Sequence, residues 1–173
     1  MNDVVEPKPI SAFTSALVRI ETEIEFSGHS GEEIFDIMGD PKRITDWYLL
    51  AKSVHMHPPG PDGEENFNVE FIYFGDVFEE ILDWDPPRRY VYKATGDQFP
   101  IKDYVAVIEV RMTGEDSGIM RWAMHFNDVD GLDQQKALPV MLPPITEESV
   151  KRLAPMLGGE VTVFQSNFDG IAI

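Results

Sequence analysis

The sequence predicts an α+β domain: a curved antiparallel sheet of seven strands, two short helices after the first strand, and a long C-terminal helix laid over the sheet. Three observations predict it. Apolar and charged residues alternate over residues 17–26; helix-start chemistry appears at Ser30 and again at Asp40; and period-two patterning then runs from Ser53 to Phe126, with turn residues at intervals of about ten. A bent sheet with one apolar face must cover that face, and only the tail is long enough to do so. Between the two there is room for a cavity.

In the first strand, Val18, Ile20, Ile24 and Phe26 share one parity, while Arg19, Glu21, Glu23 and Glu25 take the other. Ser30-Gly31-Glu32-Glu33 is a capping box, in which hydroxyl and carboxylate satisfy the first free amides of a helix through Met38. Asp40-Pro41 places an N-cap and a first-turn proline ahead of a second short helix ending at Trp47 or Tyr48. Six more strands are expected at residues 53–57, 66–74, 77–84, 89–95, 101–113 and 118–126. Gly75-Asp76 is read as a two-residue hairpin turn, because glycine supplies the positive φ of a type II′ turn. From Thr146 onward Val150, Leu153, Leu157, Val161, Phe164 and Phe168 fall three or four apart, one stripe down a helix. Pro155 and Gly158-Gly159 predict a kink or two helical pieces there.

The length of 173 residues suits one domain, placed at residues 14–173 behind a loose N-terminal arm, residues 1–13. Apolar residues make up 43% and charged residues 26%, which excludes a largely disordered or coiled-coil chain. Thirty-one acidic against fourteen basic side chains leave a net charge of −17, so phosphate backbones and anionic bilayers are repelled. Nucleic acid and membrane lipid headgroups are therefore expected to be poor partners, with no membrane insertion. No stretch approaches the roughly 18 apolar residues of a spanning helix, and residues 1–9 lack the features of a secretory signal, so a cytoplasmic protein is expected. With no cysteine there are no disulfides and no thiolate nucleophile. No P-loop, dinucleotide fingerprint, Gly-x-Ser-x-Gly elbow or His-Glu-x-x-His motif occurs.

In the segments VRIETEIEF with GEEIFDIMGDPKRITDWY, VFEEILDWDPPRRYVYK and GIMRWAMHFN, over about residues 17–127, the chain resembles the START-like (SRPBCC) superfamily, the helix-grip fold that includes polyketide cyclase/dehydrase proteins. The proline-rich segment 138–144 and the interrupted tail depart from it. It implies a hydrophobic small-molecule pocket, needing no cofactor, in members that either carry a ligand or catalyse cyclisation, dehydration or aromatisation. A third reading is a protein-interaction domain like the chaperone-activating relatives. A homodimer is left open.

Glu79 and Glu80 are adjacent on a strand, so one must face inward, either as a general acid or base or as a hydrated group at the sheet's fraying end. Tyr73 shares parity with Phe71, and Tyr104 with Ala106 and Ile108, which points both phenols at the cavity as ligand orienters, proton donors or plain core residues. Tyr90 and Tyr92 share a face that the pattern does not identify. Trp122, Met120, Met124 and Phe126 form a soft apolar wall, as ligand surface or as core. Trp47 ends the second helix at the cavity rim, and Leu153 and Leu157 face the cavity from the tail. Arg121 and His125 take the opposite parity, toward solvent. His55 and His57 are half of a metal site at most, lacking a third ligand, so no metal is expected.

Overall fold

The computed structural model describes residues 6–60, 65–99, 101–128 and 134–167, with backbone alone for 128 and 134–140. Along the chain run β1 (Val18–Ser27), α1 (Gly31–Gly39), a 3₁₀ turn (Pro41–Arg43), α2 (Ile44–Trp47), β2 (Ala51–Met56), β3 (Phe67–Phe71), β4 (Gly75–Asp85), β5 (Arg89–Thr95), β6 (Ile101–Met112), β7 (Ser117–Asp128), α3 (Gln134–Met156) and β8 (Gly159–Ser166). The strands form one antiparallel sheet in the order β2-β3-β4-β5-β6-β7-β1-β8. It has eight strands rather than seven.

The helix starts form as their residues dictate. The Ser30 amide donates to Glu33 Oε2 at 2.8 Å and the Glu33 amide to Ser30 Oγ at 3.3 Å, closing the capping box of α1. Asp40 Oδ1 accepts from the Lys42 amide at 3.0 Å beside Pro41. These caps turn the chain twice within a few residues, so that Ile34, Phe35, Met38 and Trp47 are buried against the concave face of the sheet.

The eighth strand explains where the sequence reading of the tail fails. Helix α3 begins at Gln134, so the proline-rich segment lies inside it, and it buries Leu142, Val150, Leu153 and Ala154, with Leu157 buried just beyond its end. At Gly158 the backbone takes φ +66°, with its amide donating to the Pro155 carbonyl at 3.1 Å, and the chain reverses into β8 along β1. Val161 and Phe164 pair with Ile24 and Thr22, both on the inner parity of β1, because a register shift leaves Thr162 unpaired. The bulge puts two inward residues three apart, which imitates helical spacing. Phe168, the last residue of the expected stripe, lies outside the described residues.

Further expectations are corrected. The strand expected at 66–74 ends at Phe71, and Ile72–Phe74 turn the chain before Gly75, whose φ is +63°. The hairpin is thus three residues long and starts earlier, which throws Tyr73 outward at 64% exposed. The head, in its described part, lies on the convex face, where Ile10 and Phe13 cover Val91, Val105, Val107 and Ala123. His125 is therefore buried, its Nδ1 3.2 Å from the Ala16 carbonyl oxygen, instead of facing solvent. Arg121 is half-buried in ion pairs with Glu21 at 2.5 Å and Glu109 at 3.1 Å.

Gly158→Ala is expected to destabilise the domain by about 2 kcal/mol or more, since an added Cβ would lie 2.6 Å from the Ser27 carbonyl oxygen on a left-handed backbone. Urea unfolding checks this; an unchanged midpoint would contradict the strand-reversing role of the residue.

Candidate functional site

Between the concave face and the helices the sheet keeps a cavity of about 540 Å³. The C-terminal end of α1 and the Asp40-Pro41 turn form one side, α2 supplies Ile44 and Trp47, and β4, β5, β6 and β7 supply Glu79 and Ile81, Tyr90 and Tyr92, Ile108, and Trp122. Trp84 stands half exposed at the opening. A smaller chamber of about 40 Å³ adjoins it, lined among others by Tyr48, Phe71, Phe99, Tyr104, Met124 and Leu142. Ile44, Glu79, Tyr92 and Trp122 border both.

The glutamate pair resolves cleanly. Glu80 faces outward and meets Lys93 across β5 at 2.8 Å. Glu79 faces inward at 8% exposed, and no donor or cation among the described residues meets its carboxyl. Burial pushes its pKa up to about 8, because the low-dielectric surroundings penalise the ionised form. A buried carboxyl shifted by desolvation and opening into a cleft is a candidate functional group.

The tyrosines divide by what their hydroxyls do. Tyr90 donates to the Met38 carbonyl oxygen at 2.6 Å, tying α1 to the sheet, so its hydrogen is spent on structure. Tyr92 accepts from Trp122 Nε1 at 3.2 Å and lies 3.4 Å from the Tyr104 hydroxyl. Its own hydrogen is free for that neighbour or for a guest in the cavity. Burial raises all three phenols well above their ordinary value and pushes Tyr48 up to about 12, so each is neutral near pH 7. Trp47 and Trp122 meet edge to face at 5.4 Å and 89°, the preferred aromatic geometry.

Of the residues expected from sequence, Glu79, Trp47, Ile108 and Trp122 meet at the larger cavity, with Phe71, Tyr104 and Met124 at the smaller one. Met120, Leu153 and Leu157 are fully buried core. Tyr73 and Glu80 lie elsewhere. Tyr92 was not resolved from sequence, although Arg89 and Lys93 on the opposite parity carry the signal; the apolar Val91 between them masks it, because the head covers the convex face there. Trp84 lines the opening only because a register shift between Ile81 and Asp83 returns it to the inner side, a feature without a sequence signature. His55 and His57 are exposed, within hydrogen-bond reach of Ser53 and Asn68 respectively, and no group of three metal-ligating side chains occurs among the described residues.

A protein-family model described as polyketide cyclase/dehydrase and lipid transport matches residues 18–158. The chain belongs to that family. Solved structures with the same fold include the Zhui aromatase/cyclase from Streptomyces sp. R1128, 12% identical with a TM-score of 0.65 over 81% of this chain and 91% of that one. A START superfamily protein from Mycobacterium smegmatis is 12% identical with a TM-score of 0.64 over 80% of this chain and 97% of that one. A conserved protein from Geobacillus kaustophilus is 15% identical with a TM-score of 0.62 over 83% of this chain and 99% of that one. No curated protein matches the chain by sequence. Polyketide cyclase/dehydrase family membership and the START-like architecture make this a hydrophobic ligand-binding fold. No helix among the described residues is long and apolar enough to cross a membrane.

The isolation of Glu79 has a consequence for stability. Its pKa is about 8 in the folded chain against an ordinary 4.5, so between those values the folded state holds a proton that the unfolded state has lost. Stability therefore falls as pH rises from about 4.5 to 8, by an order of a few kcal/mol. Glu79→Gln is expected to raise Tm clearly at pH 8 and little at pH 4.5, as calorimetry at the two pH values would show.

Proposed function

We propose that this domain binds an apolar small molecule bearing an aromatic ring system. The observation that carries the proposal is the 540 Å³ cavity, whose wall includes Trp47, Trp84, Trp122, Tyr90 and Tyr92. That volume suits a drug-sized guest, and the polar groups facing it are few enough to orient rather than solvate it. Affinity comes from apolar area removed from water, at about 25 cal/mol per Å² before ordering costs. Family membership and the START-like fold support the same reading.

A second reading rests on Glu79 beside the Trp122–Tyr92–Tyr104 series of hydroxyl and indole contacts. A carboxyl with a pKa near 8 can give or take a proton near neutral pH, and Tyr92 can donate to a developing enolate oxygen. This is the chemistry of a cyclase or dehydratase acting on an enolisable, polyketide-like ligand. Glu79→Gln separates the two readings: turnover lost with binding kept indicates catalysis, and binding without turnover in either protein indicates a carrier.

Tryptophan emission reports occupancy directly. Titration with neutral 1-naphthalenemethanol is expected to quench it saturably, and Ile81→Trp, which places an indole in the cavity from a half-buried position, is expected to weaken that binding at least tenfold with an unchanged circular dichroism spectrum. Emission unaffected by the probe in the parent protein would contradict the binding reading.

A further inference from the structure

We propose that the ligand of this cavity is an organic cation, an aromatic amine whose ammonium group sits against Glu79 while its rings lie on the tryptophan and tyrosine faces. This rests on the binding reading above and adds the charge class of the ligand.

The first ground is the sign of every ionisable group around the space. Asp40, Glu65, Glu79 and Asp83 line the cavity, and no lysine, arginine or histidine does among the described residues. Asp83 is neutralised by Arg89 at 2.5 Å, whereas Asp40 and Glu65 stand exposed at the opening. Low-dielectric walls concentrate the field of such groups, and the whole chain carries −17. Carboxylate and phosphate-bearing guests are repelled on approach, and cations are drawn in.

The second ground is independent of the rim. Glu79 is 92% removed from solvent and aimed into both chambers, with no hydrogen bond or ion pair from any described residue. A buried lone carboxyl is costly, and the group that relieves it best is a cation brought to it in the same low-dielectric space. The third ground is the wall: indole and phenol faces attract an ammonium, most strongly where water is excluded. A neutral guest could accept a hydrogen bond from protonated Glu79, but it would leave the attraction of the rim and of the ring faces unused.

A proton balance follows. The groups facing Glu79 are Tyr48 after α2, Tyr90 and Tyr92 on β5, Tyr104 on β6, and the rim carboxylates with Arg89; the phenols stay neutral from pH 6 to 9. Binding of an ammonium releases one proton from Glu79 to solvent when the pH lies below about 8. Affinity for the amine should therefore rise with pH up to that value and then level off.

The test compares three probes of similar size by isothermal titration calorimetry: 1-naphthylmethylamine, neutral 1-naphthalenemethanol and anionic 1-naphthoate. At pH 8 the amine is expected to bind at least tenfold more tightly than the alcohol, and the carboxylate more weakly than both. From pH 6 to 8 amine affinity should rise about tenfold or more while alcohol affinity does not. In Glu79→Gln the amine and alcohol should bind within about threefold of each other. Equal binding of amine and alcohol by the parent protein, a pH-independent amine affinity, or preference for naphthoate would each overturn the cation assignment while leaving the binding function standing. Failure of all three probes to bind would overturn both. Should Glu79→Gln not fold, the pH series on the parent protein decides the question.

Discussion

One bent sheet carries more apolar concave surface than three helices can fill. Ile20, Ile24, Val69, Val77, Ala106, Met120 and Phe126 on the strands are wholly buried, and so are Ile34, Val150 and Leu153 on the helices and Leu157 just after α3. Where α1 and α3 lie close to the strands the packing is solid. Under the Asp40-Pro41 turn and α2 it is not, and the space left over is the cavity. Short helices capped by Ser30 and Asp40 can bridge an opening but cannot plug it, since each presents only a few apolar side chains. The cavity is thus a direct result of how few residues cover that part of the sheet.

In and beside the cavity, members of the same residue type meet different surroundings. Tyr90 spends its hydroxyl on the Met38 carbonyl, while Tyr92 keeps its hydrogen available. Glu80 settles on Lys93 at the surface, while Glu79, one residue away, is buried without a partner. A fold gains nothing in stability from such a carboxyl, because desolvation disfavours its charged form and no Coulomb attraction offsets it.

Legibility in the sequence followed the range of the interactions. Caps at Ser30 and Asp40 and the alternation in β1 involve residues a few positions apart, and they appear as read. The inner parities of Tyr104, Ile108, Trp122 and Met124 were legible for the same reason. Bulges defeated the rest. The unpaired Thr162 made a strand look helical, the shift after Ile81 returned Trp84 to the inner side, and an early turn at Ile72–Phe74 carried Tyr73 out of the site. The two register shifts each change parity by a single residue and the turn ends β3 ahead of Tyr73, and parity decides which side chains meet the cavity.

The sequence by itself determined the class of fold, the helix starts, the acidic character of the molecule and the fact that one of two adjacent glutamates must turn inward. Only the tertiary structure decided which one. Glu79 and Glu80 are equivalent to any local rule, and the choice came from the cross-strand register that sets Glu80 opposite Lys93. The same register and the head segment covering Val91 assign Tyr90 and Tyr92 to the concave face. Such pairings join residues far apart in the chain, and they are selected by burial summed over the whole sheet rather than by any pattern within one strand.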